Sequence, residues 1–166
     1  VPSEIFDIGS GDGNKAKVII EALPGASIQK YYLFDVNKEV VIASGQYLAT
    51  TYPQIQVQGI VGDFELHLGK LFPGGNRLYV FLGSTLGNLP LDSQIMLLQS
   101  IRQLMKKADR LLLGVDLIKS TDSMLLAYND SDGLNAELDL NLLRVINREL
   151  EADFPLDAFK YDVSYN

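Results

Sequence analysis

Short runs rich in β-branched and aromatic residues alternate along this chain with stretches whose apolar positions recur every three or four residues. That alternation predicts an α/β fold built on a mainly parallel sheet flanked by helices. Four runs read as strands: EIFDIG (4–9), KYYLFDV (30–36), RLYVFLG (77–83) and DRLLLGVDLI (109–118). A fifth, IQVQGIVG (55–62), mixes alternation with glycine. Helices fill the intervals. Residues 15–23 put Val18, Ile19 and Ala22 on one face before Pro24 and Gly25 stop the turn, and residues 38–51 group Val40, Val41, Ser44, Tyr47 and Leu48 ahead of Pro53. Asp92 or Ser93 caps a third helix with Leu97, Leu98, Ile101, Leu104 and Met105 on its inner stripe, and 135–150 repeats Leu142, Leu143, Ile146 and Leu150. FPGGN (72–76) is a tight loop, and NDSDG (129–133) is a polar connector suited to capping helices or touching a ligand.

Composition narrows this picture. With 166 residues, 47% of them hydrophobic, the chain can fill a layered core as one domain spanning 1–166. VPSEIFDIG enters a core-type strand at once and FKYDVSYN stops in something strand-like, so both ends read as cut and the chain as an excised part of a longer protein. Acidic residues outnumber basic ones 21 to 14, and a net charge of −7 repels a phosphate backbone, so no nucleic-acid partner is expected. The absence of cysteine excludes disulfides, thiolate metal sites and cysteine nucleophiles. The single His67 cannot build a multi-histidine metal centre and reads as an ordinary surface or loop residue, so no metal is expected. Apolar stretches such as RLLLGVDLI fall well short of the ~20 residues that span a bilayer, and no signal pattern opens the chain; a cytoplasmic protein without a membrane partner is expected.

The candidate chemistry begins at Gly9-Ser10-Gly11-Asp12-Gly13. A glycine cluster between a strand and a helix is the first turn of a Rossmann-like unit, where main chain and ligand approach closely. A dinucleotide fingerprint requires glycine at the sixth position, which here is Asn14. The spacing therefore disfavours a nicotinamide-dependent dehydrogenase and favours the G-x-G-x-G loop that holds S-adenosylmethionine, with a plain tight turn as the alternative. Asp35 ends the second strand about 20 residues further on, where a carboxylate accepts both ribose hydroxyls or caps the helix beginning NKEV. Asp63 closes the third strand in VGDF, placed to receive an adenine amine with Phe64 near the ring. The fourth strand runs into FLGSTLGNLP, where Asn88 can orient an amine or a carboxylate without adding charge beside a sulfonium, or simply form the turn before Leu-Pro.

Taken together, DIGSGDGNK, FDV, VGDF, FLGSTLGNL, LLLGVDLIK and AYNDSDGLNAELDLNLLRVINRELEADF resemble the histidine-specific N-methyltransferase family over nearly the whole chain. The resemblance implies a Rossmann-like class I methyltransferase fold lacking its final strands. The implied reaction is S-adenosylmethionine-dependent methylation of the α-amino group of a small-molecule amino acid, histidine, as in ergothioneine biosynthesis. It further implies that Gly9, Gly11 and Lys15 surround the cofactor, that Asp35 holds the ribose, and that Asp63 and Phe64 hold the adenine. Asn88 and Tyr128 are implied to hold the substrate's head group and to serve as the catalytic pair. The chain departs from the family at Asp12 and Gly13, where Thr-Ser is common, and at Ala16, where threonine is common. It also lacks the family's segments before the glycine strand and after FxxDVSYN, which complete the amino-acid pocket. The expectation is a cofactor half-site with part of a substrate site. The alternatives are an N-methyltransferase for another amino acid, such as a prenylated tryptophan, and an adenosyl-binding module without activity.

Overall fold

The computed structural model describes residues 2–23 and 28–165, so the helix stop expected at Pro24 and Gly25 lies outside the described residues. The chain divides into two compact units, Val1–Asp116 and Leu117–Asn166.

The first unit is a five-stranded parallel sheet made of β1 (Glu4–Ile8), β2 (Lys30–Asp35), β3 (Gln56–Val61), β4 (Arg77–Phe81) and β5 (Arg110–Leu113). The strand order is β3-β2-β1-β4-β5. Parallel neighbours need crossovers, and helices supply them: α1 (Asn14–Ala22), α2 (Lys38–Thr51), the single turn α3 (Phe64–His67) with the 3₁₀ turn Leu68–Lys70 behind it, and α4 (Leu91–Leu104). Period-two alternation sends successive side chains of β1 to opposite faces. Ile5 packs with Tyr31, Leu33 and Val80 beneath Ala16, Ile19 and Leu48 of α1 and α2. Phe6 and Ile8 pack with Tyr32, Phe34, Tyr79 and Phe81 against Leu68 and the α4 residues Leu97, Ile101 and Leu104. The chain winds outward from β1 in one direction, then returns past it to β4. That reversal makes β1 and β4 the topological switch point of the sheet, and open α/β sheets receive ligands at the carboxyl ends of the strands there.

The opposite edge of the sheet is closed by Arg77. Its side chain is buried beside Glu4, with Nη2 donating to Oε2 at 2.8 Å, and its guanidinium lies 4.9–5.5 Å from the ring centroids of Phe6, Tyr32, Phe72 and Tyr79. Asp109 finishes the node by accepting from the Arg77 and Lys106 main-chain amides at 2.7 and 2.8 Å.

In the second unit, α5 (Thr121–Tyr128) is capped by Ser120, which accepts from the Ser123 amide. Asp130 accepts from the Leu134 and Asn135 amides at the head of α6 (Leu134–Glu149), as the polar connector predicted. Asn147 exchanges two hydrogen bonds of 2.9 Å with the main chain of Phe154, folding the following segment back along α6. Among the described residues, no helix is long and apolar enough to cross a membrane.

Several expectations need correction. The fifth strand stops at Leu113 rather than running to 118, because its partner β4 ends at Phe81 and the chain then turns away at Gly83. Val115, Leu117 and Ile118 are exposed. Residues 159–165 form no strand. The inner face of α1 is Ala16 and Ile19, while Val18 and Ala22 face outward. Tyr47 of α2 and Leu142 and Leu150 at α6 are likewise exposed. Neither Asp92 nor Ser93 caps α4; Pro90 stands at its N-cap, where a fixed φ prepares the first turn. Helices α3 and α5 were not anticipated at all.

Candidate active site

The loop after β1 owes its shape to three glycines with positive φ, 67° at Gly9, 55° at Gly11 and 77° at Gly13. A Cβ built on Gly9 or Gly11 would meet nothing within 4 Å, so both leave open room above the main chain. Gly13 differs, since a Cβ there would stand 3.2 Å from that of Ser44 on α2. The loop is therefore tied down from below and open above. Gly9 donates to the Phe34 carbonyl at 2.8 Å, and the Ser44 hydroxyl donates to the Gly11 carbonyl at 2.9 Å.

Asp35, at the end of β2, accepts from the Gly11 amide through Oδ2 at 2.9 Å and from the Asn37 amide through Oδ1 at 3.0 Å. It does not cap α2 directly; Asn37 does, accepting from the Val40 amide. Each carboxylate oxygen carries two acceptor directions, so these bonds orient Asp35 and leave capacity for hydroxyl donors. The main chain of Asp35 also reaches the next loop, its carbonyl accepting from Gly62 at 2.9 Å.

At the end of β3, Asp63 caps α3 by accepting from the Glu65 amide through Oδ1 at 2.7 Å. Phe64 is half-buried and packs edge-on against Phe81, with centroids 5.6 Å apart. After β4, Gly83 and Ser84 both take positive φ, 97° and 58°. A non-glycine residue in that region is strained, and such strain concentrates at ligand-binding turns. Asn88 follows in the exposed 3₁₀ turn Thr85–Asn88. Lys15 of α1 links this loop to the glycine loop: its Nζ lies 3.7 Å from where a Cβ on Gly83 would stand.

Gly9, Gly11, Lys15, Asp35, Asp63, Phe64 and Asn88 thus all occupy the carboxyl edge of one parallel sheet. Tyr128 belongs to the second unit. Its ring is exposed and lines a cleft of about 370 Å³ with Asp139, Tyr161 and Tyr165, and its carbonyl accepts from the Tyr161 hydroxyl.

Asp7 went unremarked in the sequence, although a carboxylate at an inward position of an apolar strand was a visible signal. It is fully buried two residues before the glycine loop, and its Oδ2 accepts from the Tyr31 hydroxyl at 2.8 Å. Burial pushes the Asp7 carboxyl up to about 6; the Tyr31 hydrogen bond and the charge of Lys15 pull the other way, and Asp35 adds to the rise. The Tyr31 phenol is driven upward by burial and by the neighbouring carboxylate, so it stays a donor. Asp7 Oδ1 and Ser10 Oγ are both buried without a hydrogen-bond partner among the described residues.

Comparison with known proteins agrees with this geometry. Residues 1–166 match the model of a family described as histidine-specific methyltransferase, SAM-dependent. The histidine N-alpha-methyltransferase of Mycolicibacterium smegmatis is 39% identical over 163 residues, covering 98% of this chain and 51% of that protein. Ergothioneine biosynthesis protein 1 of Schizosaccharomyces pombe is 26% identical, covering 89% of this chain and 20% of that protein. The chain thus spans about half the length of the mycobacterial relative. Among solved structures, LaPhzM superposes with a TM-score of 0.55 at 24% identity, over 72% of this chain and 33% of that one. A Bacillus halodurans C-125 structure described as a methyltransferase gives a TM-score of 0.55 at 18% identity, over 78% and 52%. These two establish the class I, Rossmann-like fold.

Proposed function

Because the chain belongs to the histidine-specific, S-adenosylmethionine-dependent methyltransferase family, we propose that it provides the cofactor half-site, and part of the substrate site, of an enzyme that methylates the α-amino group of histidine. The supporting observation is the convergence of the glycine loop, Asp35, Asp63 and Asn88 on one edge of the sheet. The residues fit the cofactor: Gly9 and Gly11 leave open a strip that any side chain would fill. In this reading the loop amides and Lys15 meet the amino-acid end of the cofactor, Asp35 takes the ribose hydroxyls, and Asp63 with Phe64 takes the adenine.

When bound, S-adenosylmethionine supplies a methyl group on a sulfonium, open to in-line displacement by an amine. The protein's own contribution is alignment, which converts an encounter between two molecules into a reaction within one complex. Asn88 holds the amino-acid head group through an acceptor and two donors, without placing a charge that would compete with the reacting centre. The family resemblance also gives Tyr128, in the second unit, a place in substrate binding, its hydroxyl able to accept from an amine. The amine attacks only after losing its proton, and a positive neighbour favours the neutral form by disfavouring a second charge.

The test is methyl transfer by the longer protein that contains this chain, offered histidine beside other amino acids. Histidine is expected to be methylated, and Asn88→Ala is expected to lower turnover about 100-fold while changing cofactor affinity little, the pattern of a lost orienting group. Preference for an indole amino acid would transfer the assignment to the alternative substrate, and unchanged turnover in N88A would remove Asn88 from the site.

A further inference from the structure

The turn that carries Asp63 and Phe64 is a single helical turn, too short to hold itself by its own hydrogen-bond ladder. Two side-chain bonds reinforce its one ladder bond. The His67 amide donates to the Asp63 carbonyl at 2.9 Å, the Glu65 amide to Asp63 Oδ1 at 2.7 Å, and the Asp63 amide to the His67 ring at Nδ1, 3.0 Å away. The last bond fixes the chemistry of the imidazole. A main-chain N–H can only donate, so Nδ1 must carry a lone pair and the proton of the neutral ring must sit on Nε2.

From this arrangement we propose that His67 is a positioning residue for the adenosyl ligand. It acts only as a neutral acceptor, so protonation of its ring loosens the Asp63–Phe64 turn and weakens adenosyl binding. The inference rests on the adenosyl reading of this site. Its physical basis is that Asp63 has two jobs on adjacent atoms. The carboxylate caps the turn and faces the ligand, while the amide behind it depends on His67 to stay in place. A second proton on the ring turns the acceptor into a donor pointed at another donor. It also gives the ring a charge that is drawn to the carboxylate of Asp63, which the ligand would otherwise meet, and to that of Glu65.

On the turn stand Asp63 and Glu65, and Lys70 follows on the 3₁₀ turn. The α4 face beside Glu65 presents Ser93, Met96, Leu97 and Ser100, none of which titrates. Asp35 reaches this region through its main chain, while its carboxylate is turned to Gly11 and Asn37. At Gly62 a Cβ would stand 2.8 Å from the Phe34 ring and 3.6 Å from the His67 Cβ, so the histidine backs directly onto the end of β3.

Two measurements on this chain test the proposal. His67 is the single histidine, so the ring nitrogens of the ¹⁵N-labelled chain give one unambiguous pair of signals. Neutral His67 is expected to show the Nε2–H tautomer, and the Nδ1–H tautomer would overturn the inference without any ligand present. The second measurement is calorimetric titration with S-adenosylhomocysteine at about pH 8 and about pH 5.5. His67→Ala is expected to bind about five-fold more weakly at the higher pH, the loss typical of one hydrogen bond. His67→Asn, whose amide oxygen replaces Nδ1 and does not titrate, is expected to bind like the unsubstituted chain at the higher pH and to lose less affinity in acid. Asp7 contributes an acid-side change common to all three proteins, so the difference between the unsubstituted chain and H67N isolates the imidazole. Equal acid losses in those two, or full affinity in H67A, would overturn the inference alone. No binding by the unsubstituted chain at either pH would overturn the adenosyl reading and this inference with it.

Discussion

Asp7 shows how a site residue can work against the stability of its own fold. Fully buried and two residues before the glycine loop, it is charged near neutral pH only against the cost of desolvation, and Tyr31 and Lys15 offset part of that cost. Its folded-state carboxyl titrates at about 6 against 3.8 for the free side chain. Between those values the folded chain binds more protons than the unfolded one, so this residue's contribution to stability declines as pH rises through the window. Asp7→Asn keeps an acceptor for Tyr31 and removes the buried charge. It is therefore expected to be more stable than the unsubstituted chain above pH 6 by up to about 3 kcal/mol, with the gain vanishing near pH 4. Urea denaturation at the two pH values checks this, and a gain independent of pH would show that the carboxylate charge is not what burdens the fold.

Among the elements, the sheet is anchored at one edge and receptive at the other. Phe6, Tyr32 and Tyr79 are in register across β1, β2 and β4, so their rings form a continuous row beneath the Arg77 guanidinium. Removing the arginine would take from Glu4 its 2.8 Å partner, leaving Lys30 at 4.0 Å, and would take the guanidinium donor from the Phe72 carbonyl and the Tyr79 hydroxyl. Arg77→Ala is expected to cost about 3–5 kcal/mol in urea denaturation, as other broken buried pairs do, and a cost below about 1 kcal/mol would show the node to be incidental. The strands bordering this node were legible in the sequence because they are buried on both faces and carry unbroken apolar runs. The runs misled where tertiary partners decide the outcome. GVDLI has the composition of a strand, but β4 provides nothing to pair with beyond Phe81. The single turn α3 is too short to display a helical period, and TDSMLLAY in α5 buries no residue and so shows no stripe. The misphased face of α1 has a similar origin: Gly13 sets where the helix begins, and Ala16, small enough to touch the sheet, takes the buried place that a larger residue seemed to claim.

Across the whole molecule, polar groups at four successive strand ends were readable because a parallel sheet must bring those ends to one edge. Their support was not readable. Ser44 under Gly11, His67 behind Asp63 and Lys15 beside Gly83 are contacts between segments distant in sequence or between main chain and side chain, which no local pattern announces. The central claim is that this one edge receives the adenosyl group, and mapping S-adenosylhomocysteine onto the ¹⁵N-labelled chain tests it most directly. The account predicts shifted amides at Gly9–Gly13, Asp35–Asn37, Gly62–Phe64 and Gly83–Asn88, with Glu4, Arg77 and Asp109 at the far edge unmoved. Shifts centred on the Arg77 edge, or none at saturating ligand, would contradict it.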